Sequence, residues 1–186
     1  DHARTVPAPA ALAHQLPGPV APILGVLPRR ELAVLRCHGL DERLLARVLG
    51  EFVPVDVLES ASGRACAIAR TLPTGCVVAG RTALWVHTGG RPPSHLEVRR
   101  ASELDDIVIA RVGDLPCLTL VRAVVDLART APPDVAVYAV LRARRAGLRR
   151  HELEIALNRC RGGGKWGLIR ARKLIADLYA PTRQAS

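Results

Sequence analysis

From Thr119 to Tyr179 the chain repeats one pattern, in which apolar residues at helical spacing are cut at short intervals by proline or glycine. In "TLVRAVVDLARTAPPD" the residues Leu120, Val124, Leu127 and Ala128 share one face of a helix, with Thr119 placed to cap it and Pro132-Pro133 to end it. Arg122 and Asp126 stand four apart on that helix, a spacing that favours an ion pair. Three more helices are expected, over 134–146 up to Gly147, over 150–160, and over about 166–179 after the run Gly162-Gly163-Gly164. In the last of these, Leu168, Ala171, Leu174, Ile175 and Leu178 form one apolar stripe, while Arg170, Arg172, Lys173 and Asp177 point elsewhere. Helices this short and this one-sided must pack on a neighbour.

The middle of the chain switches period. "GCVVAG" is a short buried strand between glycines, and it leads into a helical "RTALWVHTGG" stopped by Gly89-Gly90. "SHLEVRR" and "DDIVIARV" alternate as two strands. Before them, "RRELAVLRCHG" and "DERLLARVLG" read as two short helices, the second with Asp41 as its N-cap, then "EFVPVDVL" as a strand and "GRACAIARTLP" as a helix stopped by Pro73. Residues 1–28 form a Pro/Ala-rich arm, and 181–186 a short tail. The expected class is α+β: a small, mostly antiparallel sheet flanked by helices, ending in a basic all-helical section over 141–180. Aromatic residues are 3% of the chain, so Leu, Val, Ile and Ala must build the core, with Trp85 and Trp166 as isolated large pieces.

The net charge of +10 is unevenly placed. Residues 1–140 hold 15 basic against 14 acidic side chains, whereas 141–186 hold 12 against 3. That excess calls for an acidic partner, either nucleic acid or an acidic protein face. The five cysteines are widely spread, odd in number and without a CxxC pair, as free thiols in a reducing cytoplasm would be. No apolar run approaches the roughly 20 residues of a membrane span, so no membrane association is expected.

Motifs for chemistry are missing. "GGGK" resembles a phosphate loop, but Arg159 stands where the leading glycine should be, Trp166 where a hydroxyl should follow, and a helix precedes it. "HELEI" at His151 has Ile155 in place of a second zinc histidine, and Glu152 and Glu154 suit the first turn of a helix instead. His87 and His95 have no neighbouring carboxylate or cysteine in sequence, and Asp105-Asp106 would point to opposite faces of a strand. No serine lies in a G-x-S-x-G setting. The expectation is a protein without catalytic residues, metal or cofactor.

The order of features from Gly50 onward resembles the AbiEi-type antitoxins of type IV toxin–antitoxin and abortive-infection systems, abundant in actinobacteria. "LPTGCVVAGRTALWVHTG" is similar to that family's strand and tryptophan-bearing helix. "LPCLTLVRAVVDLAR" resembles its T-x-x-R-x-x-x-D-L-A helix through Thr119, Arg122, Asp126, Leu127 and Ala128, and "AGLRRHELEIALNRCRGGGKWGLIRARKLIADL" its helical tail. The likeness covers roughly 50–180, with an antitoxin-like domain at 59–180, and leaves 29–58 as a degenerate or lost winged-helix remnant. It implies a cytoplasmic, non-catalytic protein that binds and neutralises a nucleotidyltransferase-like toxin. The candidate contact residues are Arg142, Arg145, Arg149 and Arg150 before the glycine run and Lys165, Trp166, Arg170 and Lys173 after it; Trp166 is either an interface anchor or a core residue. The alternative is a transcriptional regulator that binds DNA or RNA through the same basic helices.

Overall fold

The computed structural model describes residues 26–37, 39–160 and 165–180, with only the backbone described at Cys37, Glu42, Lys165 and Trp166. Among the described residues, seven helices and two small sheets make an α+β fold. Helix α1 spans Arg29–Cys37, and a single helical turn at Asp41–Leu44 leads into a hairpin of β1 (Leu45–Val48) and β2 (Glu51–Pro54). After a 3-10 turn at Asp56–Glu59 come α2 (Ala61–Ala69), β3 (Cys76–Val78), α3 (Gly80–Thr88), β4 (Val98–Arg100), β5 (Ile109–Val112) and β6 (Leu115–Leu118). The chain closes with α4 (Leu120–Thr130), α5 (Pro133–Arg145), α6 (Arg150–Arg159) and α7 (Lys165–Tyr179).

The larger sheet has the order β4-β3-β6-β5. Its outer pairs, β3 with β4 and β5 with β6, are antiparallel, and the central β3–β6 pair is parallel through Val78 and Cys117. Val77, Val78, Cys117 and Leu118 are almost completely buried and, with Ile68, Val53 and Val86, form one apolar cluster around the sheet. A second cluster is all-helical: Val124, Val125, Ala128, Ala139, Val140, Ala143, Leu153, Leu157, Ala171 and Ile175. Helix α3 belongs to both, since Ala83, Trp85 and Val86 face the sheet while Leu84 joins the helices. The core is therefore two clusters, one around the sheet and one among the helices, with α3 contributing to both.

The four C-terminal helices follow their hydrophobic period. Thr119 Oγ1 accepts from the backbone N–H of Arg122 at 3.3 Å, which caps α4, and Pro133 opens α5 where a missing N–H is harmless. On α7, Ala171 and Ile175 are buried while Arg170, Arg172, Lys173 and Asp177 are exposed, as the stripe required. Ala128, Ala139, Ala143 and Ala171 are completely buried among these helices. At Gly167 the backbone of α7 comes close to that of α4, because a Cβ there would lie 3.1 Å from the Arg129 carbonyl oxygen.

Several expectations fail: the strands expected over "EFVPVDVL" and "DDIVIARV" are only Glu51–Pro54 and Ile109–Val112, with 3-10 turns at Asp56–Glu59 and Asp106–Val108. "DERLLARVLG" is not a helix to Gly50: only Asp41–Leu44 is helical, and Leu45–Val48 is a strand. Leu49 and Gly50 both take positive φ, +50° and +93°, and turn β1 back onto β2 in the two-residue geometry that suits the strand twist. Burying Leu45, Val48 and Val53 across that hairpin overrides the local helical preference. Asp41 is not the N-cap either; Leu40 holds that place, and the Asp41 carboxylate lies 3.7 Å from Arg36. The segment expected as a winged-helix remnant thus holds one helix and a hairpin. Strand β6 is unforeseen; its Pro116 pairs with Arg111 of β5 at the edge of the sheet order.

Candidate functional site

Arginine is used here in two ways, and the first is internal. Arg64 on α2 is 6% exposed. Its Nε donates to the Val86 carbonyl at 2.9 Å, Nη1 to those of Leu58 and Glu59 at 2.8 and 3.0 Å, and Nη2 to that of His87 at 3.4 Å. Arg142 on α5 donates through Nη2 to the Thr88 carbonyl. The carboxyl end of α3 is thus closed by two guanidiniums, where the helix dipole is negative. Both lie beside Gly89, whose φ of +68° lets the chain leave the helix between them. Burial, and then the charge of Arg142, push the Arg64 pKa down from its usual value. Arg142 was expected on the partner-binding surface; the structure turns it inward, half-buried, because the open carbonyls of α3 face it.

The Thr119–Arg122–Asp126 motif is also structural. Arg122 Nε donates to Asp126 Oδ2 at 2.8 Å, and Arg99 of β4 and Arg129 of α4 approach the same carboxylate at 3.8 and 3.9 Å. Burial alone would lower the Arg122 pKa, but the hydrogen bond and charge of Asp126 outweigh it and raise it. Asp126 therefore ties the edge strand to the helical layer.

The second use is external, on α6 and α7. Tyr179 Oη donates to the Leu148 carbonyl at 2.7 Å and Arg172 Nη2 to Asn158 Oδ1 at 3.0 Å, so the two helices run antiparallel. Between them lies a groove of about 450 Å3 lined by Arg150, Glu154, Asn158, Arg172 and Lys173, with Leu157, Ile175 and Ala176 beneath. Two of the expected contact residues, Arg150 and Lys173, meet in this groove. Arg150 is paired with Glu154 at 2.6 Å, an exposed pair one helical turn apart. Arg149 is exposed at the start of α6, and its backbone N–H donates to Glu152 at 2.8 Å, which is the main reason that carboxyl is held below its ordinary range. Arg145 is exposed and, like Lys173, has no ion-pair partner among the described residues. Arg170 is exposed at another side, where Nη2 donates to the Ala131 carbonyl at 2.6 Å and closes the end of α4. The side chains of Lys165 and Trp166, and all of Gly162-Gly163-Gly164, lie outside the described residues.

Arg172 and Asn158 belong to the groove although they were not among the expected contacts. The signal was present as spacing: Arg172 shares a face with Lys173 and Ala176, and Asn158 lies four residues after Glu154.

Among the described residues, His87 and His95 are each engaged by neighbouring polar groups. His87 Nε2 is 2.8 Å from the Leu118 carbonyl, so it carries the proton, and Cys117 Sγ is 3.7 Å from the same nitrogen. Burial lowers the His87 pKa and raises that of Cys117 to about 12, leaving a neutral ring beside a protonated thiol at neutral pH. A thiolate nucleophile needs the opposite shifts. His95 lies between Ser94, 3.2 Å from Nδ1, and Glu97, 3.4 Å from Nε2. Glu97 itself is engaged with Arg81, accepting from its backbone N–H at 2.8 Å and from its Nε at 2.5 Å, and so caps the amino end of α3. Among the described residues no group of His, Cys, Asp and Glu could hold a metal ion, and no helix is long and apolar enough to cross a membrane. Searches of protein-family models, curated proteins and solved structures find no match to this chain.

Proposed function

We propose that the protein is an antitoxin that binds and neutralises a nucleotidyltransferase-like toxin in the cytoplasm by protein–protein contact, with the α6–α7 surface as the contact face. The observation that carries this reading is the groove itself, in which Arg150, Arg172 and Lys173 are exposed over an apolar floor. An enzyme that handles nucleotides through metal ions needs a carboxylate-rich cleft, and a cationic groove is its electrostatic complement. Arg145 and Arg149 extend the positive surface from the α5–α6 corner. The resemblance of residues 50–180 to AbiEi-type antitoxins supplies the class of partner. The test is co-expression with the protein encoded beside this one. Copurification of the pair and rescue of growth are expected; a harmless neighbour that does not copurify contradicts the reading.

A second reading, a nucleic-acid-binding regulator, draws on a different surface. Arg29, Arg30, Arg36 and Arg47 are exposed on α1 and the β1–β2 hairpin, with Arg36 and Arg47 5.2 and 5.6 Å from the Phe52 ring centre. Duplex binding that falls steeply as salt rises would favour it over the first.

A further inference from the structure

We infer that the α6–α7 groove is built to receive an acidic amphipathic α-helix, which rests on the antitoxin reading only for whose helix it is. Three observations specify that occupant. First, the groove follows two antiparallel helices, and its apolar lining is half-buried Ala176 set over the core residues Leu157 and Ile175. Second, Ile169 is 57% exposed and precedes Arg172, Lys173 and Ala176 at the three-, four- and seven-residue spacing of one helix face. It stands exposed beside the groove's cations on that face and is the kind of apolar anchor that helix-in-groove recognition uses. Third, the lining carries three cations against the single carboxylate of Glu154. Arg172 is held in place by Asn158, while Lys173 has no ion-pair partner among the described residues and is available to an incoming carboxylate.

The same residues disfavour a nucleic acid. Among the described residues no aromatic side chain lines the groove to stack a base, and Glu154 repels a phosphate backbone. An occupant with leucine or isoleucine on one face and glutamates flanking it satisfies floor and rim together.

The probe is a labelled, end-capped 18-residue helical peptide with leucines along one face and glutamates on either side, its twin with every glutamate replaced by glutamine, and a 20-nucleotide RNA, each titrated into the full chain. The glutamate peptide is expected to bind, the glutamine twin at least about tenfold more weakly. Lys173→Glu and Ile169→Asp should each weaken the glutamate peptide by about tenfold or more while leaving the melting temperature unchanged. Equal binding of the two peptides, indifference to both substitutions, or binding of the RNA alone would overturn the inference. The two readings separate cleanly. A chain that ignores the peptide yet still copurifies with its encoded neighbour sinks the groove and spares the antitoxin; peptide binding without copurification does the reverse.

Discussion

Arg64 and Arg172 carry the same side chain in opposite circumstances. Arg64 is enclosed, its guanidinium spread over four backbone carbonyls that include the end of α3. Arg172 stands on the rim of the α6–α7 groove with one side-chain hydrogen bond, to Asn158. The difference is what each charge would lose. Carbonyls stranded in a dry interior cost the full desolvation of each group, whereas an exposed arginine is rehydrated when its contact is removed. Charge concentrated in a sequence is therefore a poor guide to charge offered to a partner; Arg142 and Arg170 close helix ends with part of that excess.

The largest effect should come from the interior. Arg64→Met leaves the Leu58, Glu59 and Val86 carbonyls without their donor, and a loss of roughly 3–5 kcal/mol of unfolding free energy is expected by urea denaturation. Arg172→Met, measured the same way, should cost less than about 0.5 kcal/mol. Similar losses in the two variants would erase the distinction.

The interior also has a pH signature. The Cys117 thiol ordinarily ionises near 9 but is raised to about 12 by burial in the fold. Its protonated form is the stabilised one, so its contribution is complete below pH 9 and declines as pH rises toward 12, at up to about 1.4 kcal/mol per pH unit. Over that interval the wild type should lose stability faster than Cys117→Ala. Exposed Cys66 should react with a thiol reagent in the folded protein and Cys117 only on unfolding. Parallel pH profiles for wild type and variant would show that the site is wet.

Asp126 lies between the extremes, half-sheltered among three arginines. Asp126→Asn should lower stability by about 1–2 kcal/mol, visible as a reduced melting temperature, with repulsion among Arg99, Arg122 and Arg129 left uncompensated. An unchanged melting temperature would reduce the motif to a surface pair.

The helices of the C-terminal half were legible because their information is local: apolar residues at i, i+3 and i+4, a threonine cap, and Pro132-Pro133 or Gly147 as stops. The hairpin of β1 and β2 and strand β6 were not, since each is stabilised by partners distant in sequence. Leu45–Val48 is a good helix sequence until Glu51–Pro54 pairs with it, and Leu115–Leu118 takes its place between β3 and β5. The basic surface was legible as a count of charges and as the stripe on α7. The fate of each arginine was not. Arg142 sits at a helix spacing that gives no hint that the carboxyl end of α3 faces it, and Arg64 differs from a surface arginine only in having alanine and cysteine beside it.

The most direct test of the central claim reverses the groove's charge without touching the core. A chain carrying Arg172→Glu and Lys173→Glu, co-expressed with the protein encoded beside it, should melt within about 2 °C of wild type and no longer copurify with that neighbour or restore growth. Undiminished copurification and rescue by this folded variant would contradict the account, because the exposed cations that α7 brings to the groove would then not be the contact.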